Sequence, residues 1–241
     1  MDRVVFSPDG SRLATISHDH KAVLWDAASG QMLIYMHVYD DGITEANDVG
    51  LAFSPDGSRL ATAGGSSIKI WDTLTGKEIL ALPRVEELFA YTVAFSPDGK
   101  QLAVGYRFGS ASVWNAATGE KLFDLAGHTG SVNAIAYSPD GTRIATTSVD
   151  GTARLWDAAT GVEQLTLTGH TGQVTGLAFS PDGARLATGG SDGTVGAVRV
   201  YALRLEDLVK IAQSRVTRSL TTAECQKYLH VEECSARLLD N

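Results

Sequence analysis

Histidine, threonine and aspartate recur in this chain in an order that could serve acyl-transfer chemistry. The sets are His128, Thr146 and Asp150, followed 42 residues later by His170, Thr188 and Asp192. A hydroxyl, an imidazole and a carboxylate are the parts of a nucleophilic triad, in which the histidine takes the hydroxyl proton and the carboxylate orients the histidine. An active site needs such a set once, whereas here it is repeated. The repetition favours a structural role.

Other patterns that could do chemistry are weaker. His18-Asp19-His20 could be read as metal ligands, but it lies in a predicted turn, where the repeat gives Asp19 a structural role. The acidic segment 40–48 lacks the spacing of a calcium loop. The glycines of 189–193 lie between strands rather than at the start of a helix, so they form neither a phosphate-binding loop nor the strand-to-helix elbow that a Gly-x-Ser-x-Gly hydrolase needs. No His-Glu-x-x-His motif occurs. We therefore predict no catalytic residue, no metal and no cofactor.

An internal repeat places these residues. Ser-Pro-Asp-Gly occurs five times, starting at Ser7, Ser54, Ser96, Ser138 and Ser180. An aromatic residue precedes each copy, and the intervals are 47, 42, 42 and 42 residues. Periods of this length indicate a repeat architecture.

Each unit reads as four short strands joined by turns. In the fourth unit, 132–137 alternates apolar with small or polar residues, as a half-buried strand does. Ser-Pro-Asp-Gly then forms a turn, because proline presets φ at its second position and glycine relieves its last. Strands follow at 143–147, 152–156 and 163–168. Turn signals at this spacing predict an all-β meander.

The repeat resembles the WD40 family. Trp-Asp stands at Trp25, Trp71 and Trp156, with Trp114-Asn115 and Tyr201 at the same place in the other two units, and Gly-His opens the last two. The resemblance implies an all-β WD40-type β-propeller with five blades in residues 1–203, followed by a short C-terminal helical extension in 204–241. The predicted repeats lie near 1–40, 46–82, 90–127, 131–169 and 173–203.

The resemblance also implies a hydrogen-bond relay inside each blade. Its complete form here would join His128, Thr146, Asp150 and Trp156. Reduced forms are Thr15, Asp19 and Trp25 in the first unit and His170, Thr188 and Asp192 in the fifth. In the fifth unit, an apparent insertion near 196–198 delays Tyr201.

The irregular segments of the first three units fall on one side of the predicted blades. In a meander, the turn between strands two and three lies on the same face as the link to the next blade. Loops on a rigid scaffold carry binding residues, and aromatic and arginine side chains are the usual anchors. We predict a partner-binding site on this face, made of His18, Tyr39, Phe89, Tyr91, Tyr106, Arg107 and Phe108. Drift in tolerant loops is the alternative.

The two ends of the chain suggest incomplete ring closure. The chain begins inside a first strand, and 205–212 has helical spacing where a fourth strand is expected. We predict a helix at 205–215 and a second one opened by the capping box at 221–224. Five blades are few for the family, so we expect the C-terminal part of a longer polypeptide; a five-bladed ring is the alternative. Unpaired edges would favour self-association.

Net charge, apolar runs and cysteine content limit the functions and locations that this sequence allows. The net charge of −8 falls entirely in residues 1–201, which disfavours binding of a phosphate backbone. No run of eighteen apolar residues occurs, and the start of the chain leaves no room for a signal peptide, so we expect a cytoplasmic protein without a membrane span. The only cysteines, Cys225 and Cys234, leave a local disulfide open, although a cytosolic setting opposes one.

Three functions remain open at this stage. The first is a non-catalytic protein-interaction scaffold or sensor module of a bacterial multidomain signalling protein, since the tail is similar to segments that follow propellers in such proteins. The second is a small-molecule or enzymatic site in the central funnel of the propeller. The third is self-assembly through open blade edges.

Overall fold

A computed structural model describes residues 3–17, 21–38, 49–83, 89–204 and 207. The chain divides into two units, Met1–Val200 and Tyr201–Asn241. The described residues contain nineteen strands, which in chain order are β1 (Arg3–Phe6), β2 (Arg12–Ser17), β3 (Lys21–Asp26), β4 (Met32–His37), β5 (Val49–Phe53), β6 (Arg59–Gly64), β7 (Ser67–Asp72), β8 (Glu78–Ala81), β9 (Ala90–Phe95), β10 (Gln101–Tyr106), β11 (Ser110–Asn115), β12 (Lys121–Ala126), β13 (Val132–Tyr137), β14 (Arg143–Ser148), β15 (Ala153–Asp157), β16 (Glu163–Leu167), β17 (Val174–Phe179), β18 (Arg185–Asp192) and β19 (Val195–Ala202).

The strands form five antiparallel sheets, one for each sequence repeat. Blades one to four are meanders of four strands in chain order, and the described part of blade five holds β17, β18 and β19. The innermost strands β1, β5, β9, β13 and β17 lie side by side in that order. The predicted all-β propeller fold with five blades is confirmed.

Hydrophobic packing between blades forms the core. One cluster joins blades one and two around Leu24 and Trp71, and a second joins blades two and three around Ile70 and Trp114. A third joins blades three and four around Val113 and Trp156. Blades two and three therefore each bury both faces against their neighbours, as stacked repeats do.

The Ser-Pro-Asp-Gly turns are stabilised by their own side chains. In blade two, the Ser54 hydroxyl donates a hydrogen bond of 2.5 Å to Asp56, and the Ser58 hydroxyl donates another of 2.7 Å. Mainly through the bond from Ser54, these donors lower the pKa of the Asp56 carboxyl to about 2. Gly57 closes the turn with φ of 71°, a left-handed conformation that glycine adopts without strain.

Blade five differs from the others in the length of one hairpin. Strands β18 and β19 each contain eight residues, whereas every other strand contains four to six. The residues near 196–198 that were recognised as an insertion lie within β19. They lengthen a strand rather than enlarge a loop.

Several sequence predictions fall outside the described residues. They concern His18, Asp19, Tyr39, the acidic segment 40–48, the helices expected from 205 onward, Cys225 and Cys234. Within the part of the chain that the structure describes, no helix has the length and apolar character needed to cross a membrane.

Candidate functional site

The blades present two different faces at the ends of their strands. The turn face carries the turns between strands one and two and between strands three and four. These turns bond each other: Thr73 donates through its amide to the Ser58 carbonyl at 3.0 Å and through its hydroxyl to the Gly57 carbonyl at 2.7 Å. The variable face carries the turns between strands two and three together with the links between blades. There, the Arg107 amide donates to the Phe89 carbonyl at 2.9 Å.

Blade four brings its four predicted relay residues together beneath the variable face. The Trp156 indole N–H donates to Thr146 Oγ1 at 2.9 Å, and Thr146 Oγ1 lies 2.7 Å from His128 Nε2. His128 Nδ1 lies 2.8 Å from Asp150 Oδ2. The ionised Asp150 carboxylate can accept hydrogen bonds but cannot donate one. The network therefore assigns the proton of neutral His128 to Nδ1, and the Thr146 hydroxyl donates to Nε2.

Burial and hydrogen bonding fix the charges in this relay. Burial lowers the pKa of His128, although the bond to Asp150 opposes the change, so the imidazole is neutral near pH 7. Burial raises the pKa of the Asp150 carboxyl, but bonds from Thr152, His128 and two backbone amides outweigh it and lower the pKa to about 2. One of these amides is that of Thr129, which ties the link after blade three to the turn.

The order hydroxyl–imidazole–carboxylate in blade four is that of a nucleophilic triad, but the hydroxyl is inaccessible. Thr146 is 0% exposed, and its oxygen already accepts the bond from Trp156. A nucleophile must reach a substrate carbonyl at close range. In this position, the set can hold the turn and the link of blade four but cannot present Thr146 to a substrate.

Blade five has the same threonine–histidine–aspartate bonds, with an arginine added at the aspartate end. His170 Nε2 lies 2.9 Å from Thr188 Oγ1, and His170 Nδ1 lies 3.1 Å from Asp192 Oδ1. The Arg199 guanidinium donates to the other carboxylate oxygen of Asp192 at 2.8 Å. The Thr171 amide is the largest cause of a lowered Asp192 pKa, and the Arg199 bond adds to it.

Blades one and two keep only part of the relay in the described residues. The Trp25 indole donates to Thr15 at 2.8 Å, and the Trp71 indole donates to Thr62 at 2.9 Å. Blade two has no Gly-His histidine in its sequence.

Blade three replaces the relay with a tyrosine. The Trp114 indole donates to Ser112 Oγ at 2.7 Å, and the Tyr106 hydroxyl lies 2.8 Å from the same oxygen. Tyr106 is only 2% exposed, and burial raises the pKa of its phenol. The prediction that Tyr106 contacts a partner is therefore corrected, because its ring belongs to the core between blades two and three.

The turn after Tyr106 presents the exposed part of the predicted site. Phe108 is 63% exposed, and the Arg107 guanidinium lies over its ring, 5.9 Å from the centroid. Main-chain contacts hold this turn from both sides, since the Arg107 amide bonds the Phe89 carbonyl and the Ser131 hydroxyl bonds the Arg107 carbonyl. Gly109 completes the turn with φ of 81° against the His128 carbonyl, where an added Cβ would lie 2.5 Å from the oxygen. The turn is thus exposed at its side chains and fixed in its backbone.

Tyr91 lies at a different place from this turn. It lines an axial cavity of about 160 Å³ together with Arg3, Asn133 and Thr175, which come from the innermost strands of blades one, four and five. The Asn133 amide also donates to the Val174 carbonyl at 2.8 Å, which joins blades four and five at the axis.

Three of the supporting residues were not recognised in the sequence. Ser131 holds the Arg107 turn of blade three, and no recurrence distinguishes it. Arg199 supports blade five, and a basic residue recurs at its position, two residues before the tryptophan position, as Lys69 and Arg154. Arg59 bonds the Gly99 carbonyl of blade three at 2.6 Å, and a basic residue recurs at its position as Arg12, Arg143 and Arg185. That recurrence could have revealed a contact between blades.

A cavity on the turn face is larger than the axial cavity, but the carboxylates that line it are already hydrogen-bonded. It has a volume of about 420 Å³ and lies between the turns of blades three and four, lined by Asp98 and Asp140. Both carboxylates are bonded within their own turns, to Ser96 and Ser138 respectively. Among the described residues, no group of three or more histidine, cysteine or acidic side chains is arranged to hold a metal ion.

Antiparallel blades around an axis, with tryptophan–threonine relays inside them, define a repeat-built β-propeller. The model of the WD40 family, described as "WD domain, G-beta repeat", matches residues 2–26, 40–72, 119–157 and 161–196, which together are more than half of the chain. The chain belongs to the WD40 repeat family. The first three strands of blade three lie outside the matched segments, in agreement with the replacement of its relay.

The chain is also similar to curated proteins over part of its length. The small ribosomal subunit protein RACK1 of Drosophila melanogaster is 29% identical over 127 residues, which are 48% of this chain and 37% of that protein. The protein of the same name from Caenorhabditis elegans is 33% identical over 117 residues, which are 44% of this chain and 34% of that protein. The matches span little more than a third of these relatives.

Proposed function

We propose that this chain is a non-catalytic scaffold that binds another protein through the Arg107–Phe108 turn on the variable face of blade three. The observation that carries the proposal is the combination of an exposed aromatic ring, at 63%, with a backbone bonded on both sides. A rigid loop loses little conformational entropy on binding. Aromatic and arginine side chains are also the commonest binding hot spots.

The chemistry of the turn points to a partner surface with an apolar pocket and an acceptor beside it. Phe108 would fill the pocket, and Arg107 would reach a carboxylate or carbonyl at its rim. The overall charge of −8 disfavours a nucleic acid as the main contact. His18 and Tyr39 remain predicted members of the same surface, and Phe89 supports it through its carbonyl.

A non-catalytic role fits the relays better than an enzymatic one. The hydroxyls that could act as nucleophiles are buried, with Thr146 at 0% and Thr188 at 1% exposure. The axial cavity of about 160 Å³ is smaller than the roughly 300–1,000 Å³ typical of small-molecule sites. The funnel is therefore the weaker candidate for function.

The wider setting of the scaffold rests on sequence alone. We place it in the cytoplasm, as a docking or sensor module of a bacterial multidomain signalling protein, because the tail after residue 204 resembles segments found there. The curated relatives carry the name of a ribosomal subunit protein, which supports a role within a larger assembly.

Affinity capture from a lysate of the source cells tests the proposal. The bait would be the unaltered chain, the double variant Arg107→Ala/Phe108→Ala and the control Leu74→Ala, with captured proteins quantified by mass spectrometry. Leu74 suits the control because it is 76% exposed on the turn face. Loss of one hot-spot anchor worth about 2 kcal/mol weakens binding about thirtyfold, so loss of both should weaken it by roughly several hundredfold and abolish most of the capture.

Both variants change exposed side chains, so the fold should persist, and circular dichroism would verify it. The proposal requires capture to fall for the double variant and to persist for Leu74→Ala. Equal capture by all three baits would contradict it.

A further inference from the structure

The junction between blades three and four differs from its equivalents on the turn face. The first residue of strand two is an arginine in four blades, as Arg12, Arg59, Arg143 and Arg185. In blade three, the same position holds Gln101. In blades one and two, the arginine side chain bonds the following blade, so the junction after blade three must be built differently.

The junction between blades two and three shows how the arginine is held. The Arg59 guanidinium donates to the Gly99 carbonyl at 2.6 Å and to the Ala116 carbonyl at 3.4 Å, and both carbonyls belong to blade three. The central carbon of the guanidinium lies 5.2 Å from the centroid of the Phe95 ring, within reach of a cation–π interaction. Two turn carbonyls and an aromatic ring therefore form a guanidinium site between these blades.

The equivalent groups between blades three and four lie at a cavity. Gly141 and Ala158 are the equivalents of the two residues whose carbonyls bind Arg59, and both line the cavity of about 420 Å³ on the turn face. A Cβ built on Gly99 would lie 3.0 Å from a guanidinium nitrogen of Arg59, whereas one built on Gly141 meets only Pro97 within 4 Å. The cavity therefore lies where the guanidinium lies at the preceding junction.

Gln101 bonds an aromatic residue instead of the turn carbonyls. The Tyr137 hydroxyl donates to Gln101 Oε1 at 3.1 Å, and Tyr137 corresponds to Phe95 of blade three. The other four aromatic residues before Ser-Pro-Asp-Gly are phenylalanines. A glutamine–tyrosine pair thus replaces the arginine–phenylalanine pair, and no guanidinium among the described residues reaches the Gly141 and Ala158 carbonyls.

Carboxylates give this cavity a negative electrostatic environment. Asp98 and Asp140 line it, and mainly the bonds from the serine hydroxyls of their own turns lower the pKa of both carboxyls. Both are therefore ionised near neutral pH. Burial raises the pKa of the Tyr137 phenol, and the charge of Asp98 raises it further. Lys100 lies 3.5 Å from Asp98, and Arg143 lowers the pKa of Asp140, but neither cation lines the cavity.

We propose that this cavity binds the guanidinium group of a small molecule, as the carbonyls of the preceding junction bind Arg59. The Gly141 and Ala158 carbonyls would accept hydrogen bonds from its N–H groups, and the two carboxylates would favour its charge. A planar guanidinium can bond two carbonyls at once, whereas an ammonium is a point charge. The volume of about 420 Å³ lies within the roughly 300–1,000 Å³ typical of small-molecule sites.

Titration of the full chain with agmatine, a small guanidinium compound, tests the proposal by calorimetry and NMR. N-carbamoylputrescine is the matched probe, because it carries a neutral urea of the same shape in place of the guanidinium. We expect agmatine to bind at one site and to shift the amide signals of Gly141 and Ala159, which line the cavity. The urea probe should bind about tenfold more weakly or worse, because its hydrogen bonds carry no charge. Equal binding of the two probes, or no binding of agmatine, would overturn the proposal.

Two substitutions locate the site. Gln101→Arg gives blade three the arginine of the other blades, so its own guanidinium should take the cavity and weaken agmatine binding by about tenfold or more. Gln31→Arg is the matched control, because it adds the same charge at an exposed position on the turn face of blade one. It should bind agmatine like the unaltered chain. Unchanged binding by Gln101→Arg, or equal losses for both variants, would overturn the assignment. If Gln101→Arg does not fold, as judged by circular dichroism, the Gly141 and Ala159 signals of the unaltered chain decide the location.

A pentapeptide with arginine between glycines separates the two sources of a guanidinium group. A site for a small molecule should hold agmatine at least as tightly as it holds this peptide. Peptide binding that is tighter by about tenfold or more would overturn the assignment to a small molecule, because the cavity would then receive an arginine side chain of a partner protein.

Discussion

The turn face and the variable face are made by the same blades but differ in how each turn is stabilised. On the turn face, every Ser-Pro-Asp-Gly copy repeats one arrangement, with the serine hydroxyl bonded to the aspartate at 2.5 or 2.6 Å. On the variable face, blade three has a tyrosine where blade four has a histidine relay, and blade five adds an arginine. The side-chain bonds of a Ser-Pro-Asp-Gly turn lie within six consecutive residues, as from Ser54 to Arg59, whereas the variable-face turns depend on partners from the links and from other strands.

This difference explains where sequence change is tolerated. A turn that bonds itself can be copied from blade to blade. A turn held by distant partners can change its exposed side chains while those partners keep its backbone in place, as Phe89 and Ser131 do for the Arg107–Phe108 turn. Binding residues are expected on such loops.

The largest expected effect comes from adding one methyl group to a glycine on each face. Gly109→Ala, on the variable face, combines a left-handed φ of 81° with a Cβ 2.5 Å from the His128 carbonyl oxygen. Gly10→Ala, on the turn face, has a similar φ of 71° and no atom within 4 Å of the new Cβ. The free energy of unfolding should fall by about 3 kcal/mol or more for Gly109→Ala and by about 1 kcal/mol for Gly10→Ala, because only the first adds a clash to the left-handed strain. Urea denaturation measures both, and equal losses would contradict the dependence of the variable-face turn on its neighbours.

A smaller effect should separate the relays beneath the variable face. Thr146→Val removes the partner of both Trp156 and His128, whereas Thr62→Val removes the partner of Trp71. We expect a loss of about 2–3 kcal/mol in the free energy of unfolding for Thr146→Val and about 1–2 kcal/mol for Thr62→Val, because each buried donor or acceptor left unpaired has its own cost. Chemical denaturation of the two variants checks the difference. A larger loss for Thr62→Val would contradict the relay described for blade four.

The smallest effect is a dependence of stability on pH. The pKa of Asp150 is lowered in the folded state to about 2, so its contribution is complete above the unfolded value of about 3.9 and is lost as the pH falls from there towards 2. The pKa of His128 is also lowered, so its contribution is complete above the unfolded value of about 6.5 and is lost as the pH falls below it.

Comparison of the unaltered chain with Asp150→Asn isolates the carboxylate. The difference in the free energy of unfolding between the two proteins should shrink as the pH falls below about 4, because protonation of Asp150 removes what the substitution removes. Denaturant titrations over this range provide the measurement. A difference that stays constant down to pH 2 would show that the carboxylate is not held ionised by the relay.

The sequence predicted the blades well because a repeat of 42 residues carries its own turns and strand alternation. It placed Tyr106 wrongly because the residue ends a strand next to an irregular turn. Both faces of the strand that ends at Tyr106 are buried, since Leu102, Ala103 and Val104 are all 0% exposed, and Tyr106 continues that strand. A partner such as Ser131 could not be predicted, because its bond depends on how neighbouring segments meet in space rather than on the repeat.

The most direct test of the account is site-specific photo-cross-linking in the source cells. A benzophenone side chain would replace Phe108 on the variable face in one strain and Leu74 on the turn face in another. These two positions are 63% and 76% exposed, so exposure alone does not favour Phe108. Discrete protein adducts should form from position 108 and none from position 74. Adducts from position 74 alone, or the same adducts from both, would contradict binding through the variable face.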